Sequence, residues 1–177
     1  MSSNKDIWHH LNKEVSKTNT LVKAAQKILK SPLFASTRYK IFTTSVLDSY
    51  TRVIALSIYH LFDKRFSWCL YSLPDLTKDE KNKIKILKSQ AKNYITFRHT
   101  EIGHLSTKVK LEEFRRLKWL PNNELGKVDI FIKNVSQFLN SYGMKRFNEG
   151  YFHEYGEVGI TLQCLIEDLE KLYKPKS

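Results

Sequence analysis

The sequence predicts an all-α fold: a single helical domain over residues 1–177, with its core at about residues 5–172, packed as a bundle of about five main helices. Three observations predict it. Only 6 Gly and 4 Pro punctuate 177 residues, which leaves long stretches for helices and too few turns for an all-β fold. Apolar residues recur at three- and four-residue spacing through most of the chain. No segment alternates apolar and polar residues for long enough to make a strand. Hydrophobic residues make up 41% and charged residues 27%, a composition that buries a core, and the length suits one.

The N-terminus reads as the first helix. Trp8, Leu11, Val15, Thr18, Val22, Ala25 and Leu29 follow a 3-4-3-4 spacing that keeps them on one face. Ser3, with Asp6 three residues on, resembles a capping box. Ser31-Pro32 stops the helix, because proline restricts its predecessor and has no N–H to donate. A second helix is expected from about Ser36 to Phe62. Its apolar set, Val46, Tyr50, Val53, Leu56, Ile58 and Leu61, spreads over more sides than the first, as in a central helix. Asp48 inside it reads as an exposed or paired carboxylate. Asp63-Lys64 marks the end, and the aromatics of "DKRFSWCLYSLPDL" are expected to lid the core.

Thr77 with Glu80 at N3 is a capping box that launches a third helix. Ile84, Leu87, Ala91, Tyr94 and Ile95 form its buried stripe, with Lys81, Lys83, Lys85, Lys88 and Lys92 mostly elsewhere. It is expected to run unbroken into "TFRHTEIGHLSTK", residues 96–108. "LSTKVKLEEFRRLKWLP" reads as a loop and a short helix ending at Pro121. Asn122-Asn123 caps the next helix, with Val128, Phe131, Ile132, Val135, Phe138 and Leu139 on one side and Gly143 as its stop. "KRFNEGYFHEYGEVG" reads as a loop or frayed turn. A last helix carries Ile160, Leu162, Leu165, Ile166, Leu169 and Leu172 before a polar tail.

The formal net charge is +12, an excess that attracts polyanions. It is concentrated between Leu76 and Trp119, where twelve Lys or Arg face five Asp or Glu. Cys69 and Cys164 stand far apart among apolar neighbours and read as core residues in a reducing compartment. The first residues are polar and no apolar run nears membrane-spanning length, so a cytoplasmic protein with no membrane partner is expected.

Two His and a carboxylate in "HTEIGH" suggest a metal site, but His99 and His104 are five apart, about 140° around a straight helix. His9 and His10 diverge for the same reason. No metal and no cofactor is expected. No nucleophile elbow and no phosphate-binding glycine loop appears. What remains is Arg98 and His104 in a basic region. A guanidinium fits two phosphate oxygens at once, and imidazole exchanges a proton near neutral pH. Together they suffice for metal-free RNA cleavage: the ribose 2′-OH loses its proton, its oxygen attacks the adjacent phosphorus, and the 5′-oxygen leaves with a proton.

Arg98, the polar His99 and then His104, at the end of a long helix in a small all-α domain, resemble the Arg/His motif of the HEPN superfamily. "VLDSYTRVIALSIYHLFD" followed by "SLPDL" looks like the second-helix region of its abortive-infection branch, the AbiU-like proteins. The resemblance covers roughly residues 5 to 172, and the central third carries the motifs. It implies an HEPN-like bundle and a metal-independent endoribonuclease acting in phage defence or a toxin–antitoxin system. It implies a homodimer in which two Arg/His motifs face one cleft. Arg98 would be the phosphate clamp, His104 the proton-transfer group and His99 a positioning residue. Lys108, Arg115 and Arg116 are further candidates for contacting RNA, and an antitoxin or other regulatory protein is a possible partner. Ser106 stands where one branch carries a Tyr that is silenced by nucleotide addition, so that control is not expected here. The alternative is a non-catalytic module of the same fold that binds RNA or a protein. Arg146 and His153, seven apart, also fall within the spacings such a motif allows, but in a segment that reads as a Gly- and aromatic-containing loop, and they are set aside.

Overall fold

Trp8 shows how the first stripe is used. It is fully buried on α1 (Asn4–Lys30), together with Leu11, Val15, Thr18, Val22 and Ala25, while Ile28 rather than Leu29 closes the stripe. The computed structural model describes residues 4–32, 39–98 and 122–150, together with Glu167 and Lys171. Among these residues the chain is all-α, with no strand: α1, α2 (Lys40–His60), α3 (Lys78–Gln90), α4 (Lys92–Phe97), α5 (Asn122–Phe147) and a short 3-10 turn at Leu70–Ser72. The helix α1 is the hub. One flank packs on α5 and another on α2, while α3 lies on α5 and α4 on α2.

The α1–α5 contact is unusually close. The Trp8 indole N–H donates to the Leu139 carbonyl at 2.9 Å. Its ring lies against Gly143, where an added Cβ would come within 2.3 Å of Trp8 Cζ2 and 2.6 Å of the Glu149 carbonyl. Gly143 is therefore not the stop that the sequence suggests. The helix α5 runs through it to Phe147, and Asn148, at φ 55, takes the left-handed position that ends it. The glycine serves close helix packing instead. Burying about 200 Å² of indole at ~25 cal/mol per Å² contributes roughly 5 kcal/mol. That exceeds the roughly 1 kcal/mol of the hydrogen bond, which fixes the ring's register.

Two further expectations are corrected. The helix α2 buries Thr43, Leu47, Thr51, Ile54, Ala55, Ile58 and Tyr59. Val46, Tyr50 and Leu56 are only half-buried, and Val53 is exposed. Threonines hold core positions here, and Thr43 Oγ1 bonds the Tyr39 carbonyl at 3.0 Å, which satisfies its hydroxyl locally. Ile41 is 84% and Phe42 58% exposed, so among the described residues α2 flanks the bundle rather than crossing its centre. Asp48 is paired, accepting from Arg52 Nε at 2.9 Å. In the connection after α2, Phe62, Cys69, Leu70 and Leu73 enter the core, and Leu70 N–H bonds the Leu61 carbonyl at 2.8 Å. Phe66 is exposed and Trp68 half-buried, while half-buried Tyr71 packs against the core, so only part of the expected aromatic lid forms.

The Thr77 capping box forms in full, with Glu80 N–H on Thr77 Oγ1 at 3.2 Å and Thr77 N–H on Glu80 Oε2 at 3.0 Å. Ile84, Leu87, Ala91 and Tyr94 are buried, whereas all five lysines of the stretch are exposed. The helix is not continuous, because the chain turns at Ala91 between α3 and α4. The hydrogen bonds Ala91 to Leu87 and Ile95 to Ala91, both 3.0 Å, carry across the turn. On α5 the six predicted core residues, Val128 to Leu139, are all buried. Ser3, the short helix before Pro121, Cys164 and the apolar set of the last helix lie outside the described residues. Glu167 and Lys171 are both helical, and Glu167 stands 3.5 Å from Lys27.

Arg146 is on the last turn of α5, not in a loop. Its guanidinium forks onto Glu80 at 3.0 and 2.8 Å, donates to the Asp75 carbonyl at 2.6 Å and lies 4.1 Å over the Tyr142 ring. Burial is the largest single influence on Glu80 and pushes its carboxyl up, but the bonds from Arg146 and Thr77 together hold it below its ordinary value. A depressed folded value means that the contribution is present above the ordinary carboxylate range and is lost as pH falls through the folded value.

Gly143→Ala is expected to cost about 1–3 kcal/mol through overpacking against Trp8, read as a lower urea midpoint at unchanged slope. Glu80→Gln is expected to cost about 2 kcal/mol at pH 7. Because the wild-type carboxylate is protonated in acid, the gap should narrow toward pH 3. A gap that widens on acidification would contradict the pairing.

Candidate functional site

Of the predicted site residues, Arg98 is described. His99, His104, Lys108, Arg115 and Arg116 lie outside the described residues, as does Glu101. Arg98 follows α4 with helical dihedrals, and its N–H reaches the carbonyls of Tyr94 and Ile95. The helical stripe that buries Ala91 and Tyr94 therefore fixes where Arg98 leaves the bundle. Its guanidinium lies 4.3 Å from the centre of the Tyr59 ring, a cation–π distance. Tyr59 is buried on the last turn of α2, so a core ring holds the arginine half-buried at the end of two helices.

The same tyrosine has a second arginine on its other functional group. Arg65 donates to the Tyr59 hydroxyl. It also forks onto Asp63, with Nε at 3.0 and 3.1 Å from the two oxygens and Nη2 at 2.7 Å. The Arg65 hydrogen bonds, with that of Tyr59, hold the Asp63 carboxyl well below the usual carboxylate range, and Asp63 in turn raises the guanidinium. The turn after α2 is thus locked around Tyr59 by charge-assisted bonds.

Next to Tyr59 is His60, which the sequence reading passed over. Its ring is 4.3 Å from Phe66 and 5.9 Å from Tyr59. Burial lowers its pKa first. Glu14 on α1 and Asp63 push it up, Arg98 pushes it down, and the net direction is down. Its surroundings therefore favour the neutral imidazole, and it stands within the electrostatic reach of Arg98. His10, one turn before Glu14 on α1, stacks on Trp68 at 4.8 Å. The signal that could have found His60 was its place: it ends the most apolar helix, in "YHLFD", immediately before the charged turn.

The arrangement can grip an anion and exchange a proton. Arg98 supplies a fixed cation, and His60 supplies a base that is unprotonated at neutral pH. Arg146, the arginine of the discarded match, has its fork committed to Glu80, which removes it from such chemistry. Among the described residues no group of three or more His, Cys, Asp or Glu could hold a metal ion, and no helix is long and apolar enough to cross a membrane. Comparisons with family models, with curated proteins and with solved structures give no match to this chain.

In an NMR titration His60 is expected to have its midpoint below the ordinary imidazole value of about 6.5. Arg98→Ala should raise that midpoint and Glu14→Gln should lower it. The depressed value also means that stability linked to His60 falls as pH drops below the ordinary imidazole value. A midpoint indifferent to Arg98→Ala would remove Arg98 from the histidine's surroundings.

Proposed function

We propose that the chain is a metal-independent endoribonuclease of the HEPN type, working as a homodimer in phage defence or a toxin–antitoxin setting. The observation that carries the reading is the anchored guanidinium of Arg98, held over the Tyr59 ring at the end of α4 with the neutral-leaning His60 beside Tyr59. The charge of +12 supports a polyanionic substrate.

In this reading Arg98 binds the non-bridging oxygens of the scissile phosphate and stabilises the charge that grows there. A histidine takes the proton of the ribose 2′-OH. The 2′-oxygen–phosphorus bond forms as the phosphorus–5′-oxygen bond breaks, and a second histidine protonates the departing oxygen. The products are a 2′,3′-cyclic phosphate and a free 5′-OH. His104 is one of the two proton-transfer groups. We assign the other role to His60, where burial favours the neutral form that a base needs. His99 positions the motif, and Lys108, Arg115 and Arg116 contact the RNA. On a straight helix Arg98 and His104 point about 120° apart, so a break at Gly103 or a partner's motif is needed to complete the site.

A second reading, a non-catalytic helical module that binds RNA or a protein, is favoured by the exposed lysine row of α3, which attracts phosphates without chemistry.

Purified protein is expected to cleave single-stranded RNA in EDTA and leave 2′,3′-cyclic phosphate ends. Arg98→Ala and His104→Ala should each lower the rate at least 100-fold with the fold retained by circular dichroism. No cleavage by wild type, with RNA still bound, would support the binding module. Cleavage that survives both substitutions would rule out this site.

A further inference from the structure

Three lysines and a tyrosine share a cavity along α3 and α4. Lys85, Lys88 and Lys92 stand at i, i+3 and i+7, one face of α3 continuing into α4, and span about 10 Å along the axis. With Tyr71 from the 3-10 turn, and Ile95 and Thr96 from α4, they line a cavity of about 370 Å³. Lys64 reaches over the Tyr71 ring at 4.9 Å from its centre. Lys64, Lys85, Lys88 and Lys92 are all exposed, and no ion pair among the described residues neutralises them.

The aromatic ring distinguishes this place from a merely solvated lysine face. Lysines alone attract any polyanion. An aromatic ring set among them also offers a stacking platform, which takes a base only when that base is unpaired. A duplex would use the lysines and leave Tyr71 idle.

We propose that this cavity binds an unpaired stretch of RNA, with its phosphates against Lys85, Lys88 and Lys92 and one base on the Tyr71 ring. The inference rests on the ribonuclease reading and deepens it by giving the RNA a binding site apart from the Arg98 motif. Lys64 is the displaceable cover of the ring, and once moved aside it meets a phosphate.

The test uses the full chain and a fluorescent 2′-O-methyl RNA 12-mer, which lacks the attacking hydroxyl and so stays intact. Binding is read by anisotropy across a salt series, for the single strand and for the same strand annealed to its complement. Tyr71→Leu is expected to weaken single-strand binding about tenfold, with the salt slope and duplex binding unchanged, and Tyr71→Phe to restore it. Combined Lys85→Gln, Lys88→Gln and Lys92→Gln should flatten the log–log salt slope by about 2, as three lost phosphate contacts require. An unchanged slope in the triple variant, or tighter binding of the duplex, would overturn the proposal. The two readings fail separately. If the variants lose binding but wild type cleaves no RNA, the cavity stands and the ribonuclease falls. If Arg98→Ala abolishes cleavage while the cavity variants bind normally, the ribonuclease stands and the cavity falls.

Discussion

Everything in this molecule is referred to the contact between Trp8 and Gly143. An indole ring lies where α5 has no side chain, so α1 and α5 approach to a distance that only glycine permits. The indole N–H bond to Leu139 then selects one register of the two helices. With α1 so placed, its other flank receives α2, and α2 carries Tyr59 and His60 to one end of the bundle. The helix α4 packs on α2 and delivers Arg98 to the same end. The candidate site is thus three packing steps removed from the indole, and each step is a helix laid on the previous one.

The two arginines that end helices behave differently, and the difference is instructive. Arg146 and Arg98 each lie on a tyrosine face, at 4.1 and 4.3 Å. Arg146 also meets a carboxylate with both prongs of its fork, so its charge is spent on joining α5 to the start of α3. The carboxylate of Asp63 is taken up by Arg65, which also donates to the hydroxyl of the Tyr59 ring under Arg98. One turn therefore uses an arginine–carboxylate pair to hold the ring on which another arginine rests. At His60 burial, aided by the smaller effect of Arg98, outweighs Glu14 and Asp63.

The elements most legible in the sequence were those whose signals act over a few residues. The stripe of α1, the Thr77–Glu80 box and the apolar series from Val128 to Leu139 follow from local periodicity and capping chemistry. The phase of α2 was not legible, because Thr43 and Thr51 occupy core positions while Ile41, Phe42 and Val53 do not. A threonine whose hydroxyl bonds its own helix is apolar to its neighbours and polar to a reader of sequence. Gly143 was misread for a related reason: the same residue type ends helices and admits close neighbours, and only the partner, 135 positions away, distinguishes the two. Of the site, Arg98 was legible through its motif and basic context. His60 was not, since its importance comes from Glu14, Asp63 and Arg98, which converge on it from three separate segments.

The span of the α1–α5 contact has a consequence for how the chain is made. Trp8 leaves the ribosome well before its partners, since Leu139 and Gly143 emerge more than 130 residues later. At roughly 5–20 residues per second, the indole face of α1 waits several seconds for its cover. During that interval α1 and α2 can pair, but the wide apolar stripe of α1 stays open to other nascent chains. A contact that joins the two ends of the described fold makes closure a late event, with the slow folding that long-range contacts impose.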